Sequence, residues 1–148
     1  PRLMGVEVRR SFHGKRGDVK IPGKPDGSPM SFDIAVADAA APQDSESGLQ
    51  SLVLFVDLVA TGDVSAAAVN LVAHAVVTEQ TEAQVDKMDR QALGAWAAPI
   101  LYDTAANALR TSLAGSPATQ EISVPLYAPH VRLHSLVRRK KPASPPSP

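Results

Sequence analysis

Four histidines, scattered carboxylates and one basic glycine-flanked run are the residues of this chain with chemistry to offer. His130 and His134 stand four apart, a spacing that would suit a metal ion if both lay on one helix face. No Asp or Glu stands nearby in sequence to complete a ligand set, so no metal site is expected. His13 falls at a strand end. His74, between Val72 and Val76, reads as a histidine satisfied within a sheet and not as a general base. No Gly-x-Ser-x-Gly occurs, and Ser, His and Asp show no triad spacing. Gly14-Lys15-Arg16-Gly17 lacks the pattern of a phosphate loop. Asp26, Asp33, Asp38, Asp44 and Glu46 do not form a paired-carboxylate site. No catalytic residue is assigned, and neither an enzyme nor a cofactor is expected.

Bulk composition points the same way. The 148 residues suit one domain, and the 44% apolar content can build a core. Fifteen Lys+Arg balance fifteen Asp+Glu, so no global positive field steers the chain to nucleic acid. The run Arg138-Arg139-Lys140-Lys141 is basic but has no aromatic neighbour for base stacking, so it reads first as a solvated terminus. An electrostatic hook for RNA, acidic lipid or an acidic partner is its alternative reading. The absence of cysteine removes disulfide and thiol chemistry and agrees with a reducing compartment. No apolar run reaches the ~18 residues of a membrane span. Pro1-Arg2-Leu3-Met4 opens no signal peptide, so a cytoplasmic location is expected.

The elements that would position these residues follow from periodicity. Met4, Val6 and Val8 alternate with polar or small neighbours, and Phe12 resumes the apolar face, giving a first strand. A loop with turn chemistry at Pro25-Asp26-Gly27 follows. Met30, Phe32, Ile34 and Val36 mark a second strand, and residues 49–59 a third. Both faces of the third are apolar and should be covered. Thr61-Gly62-Asp63 reads as a hairpin turn into a fourth strand over 67–77. Beyond Thr81, helical spacing takes over. Gly94 and Pro99 divide it into a short helix, about 82–94, and a longer one from Pro99 that Gly115-Ser116-Pro117 stops. The second helix is so apolar that it should be buried on more than one side. Val124 to Pro129 is irregular, one or two helical turns are expected within 131–136, and 138–148 should be a disordered tail. The expected fold is α+β, a single domain over 1–137. It has a four-stranded antiparallel sheet with the long helix packed on one face.

The stretch Leu93-Gly94-Ala95-Trp96-x-x-x-Ile100-Leu101-Tyr102, continuing through Ala105-Ala106 to Thr111-Ser112, resembles the start of the long helix in the SecB family of export chaperones. Val124-Pro125-Leu126-Tyr127-Ala128-Pro129 is similar to that family's proline-bearing connection. Pro99 stands one position later than the family's proline. This chain is neutral where SecB proteins are acidic, which separates a shared fold from a shared role in export and leaves toxin–antitoxin control open as a variant. The resemblance implies a SecB-like fold and a homo-oligomer, a tetramer being the expected form over a dimer. Its apolar grooves would hold unfolded client polypeptide. Met30, Phe32, Ile34, Leu126, Tyr127, Leu133 and Leu136 are then the candidate polypeptide-binding residues. Val6, Val8, Trp96, Ile100, Leu101 and Leu109 are the candidate oligomer contacts. The polypeptide-binding candidates read equally well as plain core, and Trp96 as an interface or core anchor. The alternative function is a scaffold that binds one specific partner through the same fold.

Overall fold

Strict alternation decides the strands, and the structure, a computed structural model, forms them where the apolar residues recur every second position. It describes residues 2–17, 29–38, 49–78 and 87–136. Five strands are present in chain order: β1 (Arg2–Lys15), β2 (Met30–Asp38), β3 (Leu49–Thr61), β4 (Ser65–Thr78) and β5 (Val131–Leu136). One helix, α1 (Lys87–Leu113), precedes a short 3-10 turn at Pro117–Gln120. The strands form one sheet in the order β1-β4-β3-β2-β5. The first four pair antiparallel, whereas β5 lies parallel to β2 on the outer edge.

Three sequence expectations change here. The sheet is five-stranded and mixed, not four-stranded and antiparallel. Residues 131–136 extend as β5 and make no helical turn. The two expected helices are one, with Pro99 inside it. Pro99 cannot donate to the carbonyl of Ala95, a loss that breaks most helices. Here both residues lie on the exposed side of α1, where water can reach that carbonyl. The segments 18–28, 39–48 and 79–86 and the basic tail lie outside the described residues.

The helix covers one face of the sheet. Phe32, Ile34, Leu54, Leu58, Leu71 and Val69 point toward it and are buried against Leu101, Tyr102, Ala105 and Leu109. Each fully buried large side chain contributes roughly 1.5–3 kcal/mol. Alanines at 97, 98, 105 and 106 bring the helix close to the sheet. Gly94 is tight as well: a Cβ there would stand 2.8 Å from the tip of Leu133 on β5 and 3.6 Å from Val36.

The opposite face has its own small cluster. Phe12 folds over Val59, Ala66 and Ala68, and the guanidinium of Arg10 lies 4.6 Å above its ring. Glu121, just after the 3-10 turn, accepts a hydrogen bond from the backbone N–H of Val64 and so secures the β3–β4 hairpin. That bond, with the Ser65 hydroxyl adding to it, holds the Glu121 carboxyl below the usual carboxylate range.

Two outcomes follow from these contacts. Gly94→Val should destabilise the fold by about 1–3 kcal/mol through overpacking. Gly94→Ala should lie nearer neutral, because about 1 kcal/mol of helix propensity offsets the movement of one flexible Leu133 tip. Urea denaturation midpoints separate the two. For Glu121→Gln, the wild type should be the more stable at neutral pH. The gap between the two melting-temperature curves should close as pH falls below the ordinary value of 4.5 and through the depressed pKa. A gap independent of pH would mean the charge contributes nothing.

Candidate binding surface

The segment between the 3-10 turn and β5 is held by its carbonyls. Tyr102, in the middle of α1, donates its hydroxyl to the carbonyl of Pro125 at 2.5 Å. Arg110, two turns on, donates to the same carbonyl at 3.0 Å. The Tyr102 ring meets Phe32 edge-on, with centroids 5.5 Å apart, so the anchor is itself locked into the core. Burial pushes the Tyr102 hydroxyl above its ordinary pKa, against the opposing effect of Arg110, and keeps it a donor.

Immediately beyond this pin, Leu126 is 78% exposed and Tyr127 86% exposed. Two large side chains in water at the end of an anchored segment are a surface able to meet another chain. Trp96 and Ile100 are exposed as well, on the outward side of α1. On β1, Val6 and Val8 lie opposite Ala73 and Leu71 and so belong to the helix-side face, yet they too are exposed.

The remaining candidates separate from these. Phe32 and Ile34 are 0% exposed beneath α1, and Met30 is buried with its sulfur 4.0 Å from the Tyr102 hydroxyl. Within the single chain these three side chains are core. Leu101 and Leu109 are likewise enclosed within the single chain, although they were candidate oligomer contacts. Alternation identified the apolar face of β2 but could not say which face the helix would take. Leu133 is half-buried on β5 beside Gly94. For Leu136 the described structure gives the backbone position alone, opposite Ala37.

The open face carries a polar row that sequence reading missed. Cross-strand register places Arg10, Asn70, Asp57, Asp33 and Arg132 side by side over all five strands. Asn70 donates to Asp57. Asp33 meets Arg132 at 2.9 Å through one oxygen and His134 at 2.9 Å through the other. His134 therefore has a carboxylate neighbour that sequence spacing did not reveal, brought in by the parallel pairing of β5 with β2. His74 is exposed on this same face, and His13 lies 3.2 Å from the Ser112 hydroxyl. Among the described residues no three metal-ligating side chains converge, and no helix is long and apolar enough to cross a membrane.

No family model matches the chain, and no curated protein does. Two solved structures are similar to it. A protein of unknown function from Streptococcus agalactiae has 12% identity and a TM-score of 0.51, over 85% of this chain and 96% of its own. That likeness supports the α+β fold of one long helix on a mixed sheet and nothing further. A SecB-like chaperone of Mycobacterium tuberculosis, in complex with a peptide from an antitoxin, has 16% identity over 78% of this chain and 85% of its own. The TM-score of that pair is 0.32.

Tyr102→Phe tests the anchor. Losing one hydroxyl should cost about 1 kcal/mol and leave the Pro125 carbonyl with Arg110 alone. Limited proteolysis within 126–130 should then quicken, with β3 still protected. Unchanged cleavage there would mean that the Tyr102 bond does not hold the segment.

Proposed function

We propose that this chain is a non-catalytic polypeptide-binding protein that holds unfolded or extended segments of other proteins on exposed apolar side chains of a homo-oligomer. The observation that carries the reading is the anchored, solvent-facing pair Leu126–Tyr127. Its pin, Tyr102, comes from the helix, so the core fixes the segment that presents the pair. An aromatic and an aliphatic side chain held this way bind apolar segments without regard to sequence, which is what a holdase requires. The resemblance of residues 93–112 to the SecB family supports the same reading.

Trp96 and Ile100 on α1, with Val6 and Val8 on β1, are the contacts proposed for the oligomer. β1 is a long edge strand with one side unpaired, a ready template for pairing with another copy. The scaffold alternative, a single specific partner, uses the same surfaces, and it is the polar row on the open face that favours it. Charged side chains in fixed register recognise one sequence better than many.

The test is suppression of aggregation of a chemically denatured protein by excess purified chain. Wild type should suppress it, and the double variant Leu126→Ser, Tyr127→Ser should lose most of that capacity while melting at an unchanged temperature. Aggregation that proceeds equally with and without wild type would exclude a holdase.

A further inference from the structure

The junction of β5 with β2 has the composition of a recognition site whose occupant belongs to the same chain. β5 is six residues long, lies at the edge of the sheet, and pairs with β2 alone. Parallel pairing is the weaker kind per residue. It is reached from the Pro125 anchor through residues 126–130, which have no regular structure. Two of its inward residues, Val131 and Leu133, are only half-buried.

What fixes β5 in register is a set of side chains, not strand length. Asp33 is held at 14% side-chain exposure between Arg132 and His134, at 2.9 Å from each. These two point to the open face, on either side of Leu133, which points the other way. Leu133 fills the space that Gly94 leaves open on α1, where a Cβ would come within 2.8 Å. The β2 edge thus reads three successive residues: a cation, a leucine, then a second basic group.

We propose that the β2 edge, with Asp33 on one face and the Gly94 notch on the other, is a docking site for an extended partner segment. That segment has the pattern basic–leucine–basic, and β5 is the built-in competitor that occupies the site until such a segment arrives. This rests on the polypeptide-binding reading above and adds to its unselective apolar pair a second, sequence-selective site. A tethered strand competes at an effective concentration on the order of millimolar. A free segment at micromolar concentration therefore gains the site only when it binds much better than β5 or when β5 is weakened.

The experiment uses the full chain and a fluorescein-labelled peptide spanning Pro129 to Leu136, read by anisotropy. Leu133→Ser in the chain weakens the competitor and should tighten peptide binding by about tenfold or more. Adding Asp33→Lys should abolish that binding, and a peptide with glutamate in place of its arginine and histidine should restore it. Binding no tighter in Leu133→Ser than in wild type, or indifferent to the charge exchange, would overturn the proposal. So would dimers formed by exchange of β5 that added peptide leaves unchanged. Hydrogen exchange on wild type covers the case in which the variants fail to fold: amides of β5 should exchange well before those of β3 and β4. Equal protection would show that β5 does not leave. Aggregation suppression, run in parallel, separates the two readings. Retained suppression without peptide binding defeats this inference alone, and loss of both defeats the polypeptide-binding reading as well.

Discussion

The seating of α1 across one face of the sheet is the contact on which everything else depends. It is close because the helix turns small residues to the sheet: Gly94 against β5, then Ala97, Ala98, Ala105 and Ala106. Large side chains from the strands, Phe32, Ile34, Leu54 and Leu58 among them, fill the layer between. Interiors pack at the density of organic crystals, so this fit leaves little freedom in where the helix lies. Its position decides which apolar residues are core and which stay exposed. It also carries Tyr102 to the place where its hydroxyl fixes Pro125.

The sheet's two faces have different tasks. The helix-side face is the core. The open face carries the Phe12 cluster and the polar row that runs from Arg10 to Arg132. Phe55, in the middle of that face, stays exposed. The row does for the open face what capping does for a helix end: it supplies partners to polar groups that must lie flat on a largely apolar surface. Asp33 is where it matters most, because its two oxygens fasten β5, the strand with the least backbone pairing to keep it.

The first four strands were legible in the sequence because alternation over Val6-Val8, Met30-Val36, Leu52-Leu58 and Val69-Ala75 is local information. The hairpin at Gly62 and the stop at Gly115, whose φ is 78°, were legible for the same reason. What failed was non-local. Val131-Arg132-Leu133-His134 does alternate, and that signal could have given β5, but it is short and follows Pro125 and Pro129. Nothing local names β2, ninety-nine residues away at the Asp33–Arg132 pair, as its partner. A proline's cost makes Pro99 look like a helix start, yet α1 runs through it with Ala95 on the exposed side, where its unpaired carbonyl can be hydrated. Met30, Phe32 and Ile34 were candidates for client contact because alternation gives a face but not its neighbour. Leu126 and Tyr127 were placed among the candidates by likeness to a family. Their exposure comes from the Tyr102 anchor, which no spacing rule could reveal.

One helix on one face leaves Trp96, Ile100, Val6 and Val8 in water, and the central claim is that further copies of the chain cover them. Native mass by light scattering tests it most directly. A mass of two or more chains of 15.5 kDa each is expected, falling toward one chain when Trp96 and Ile100 are both changed to serine. A single-chain mass for the wild type at working concentration would contradict it.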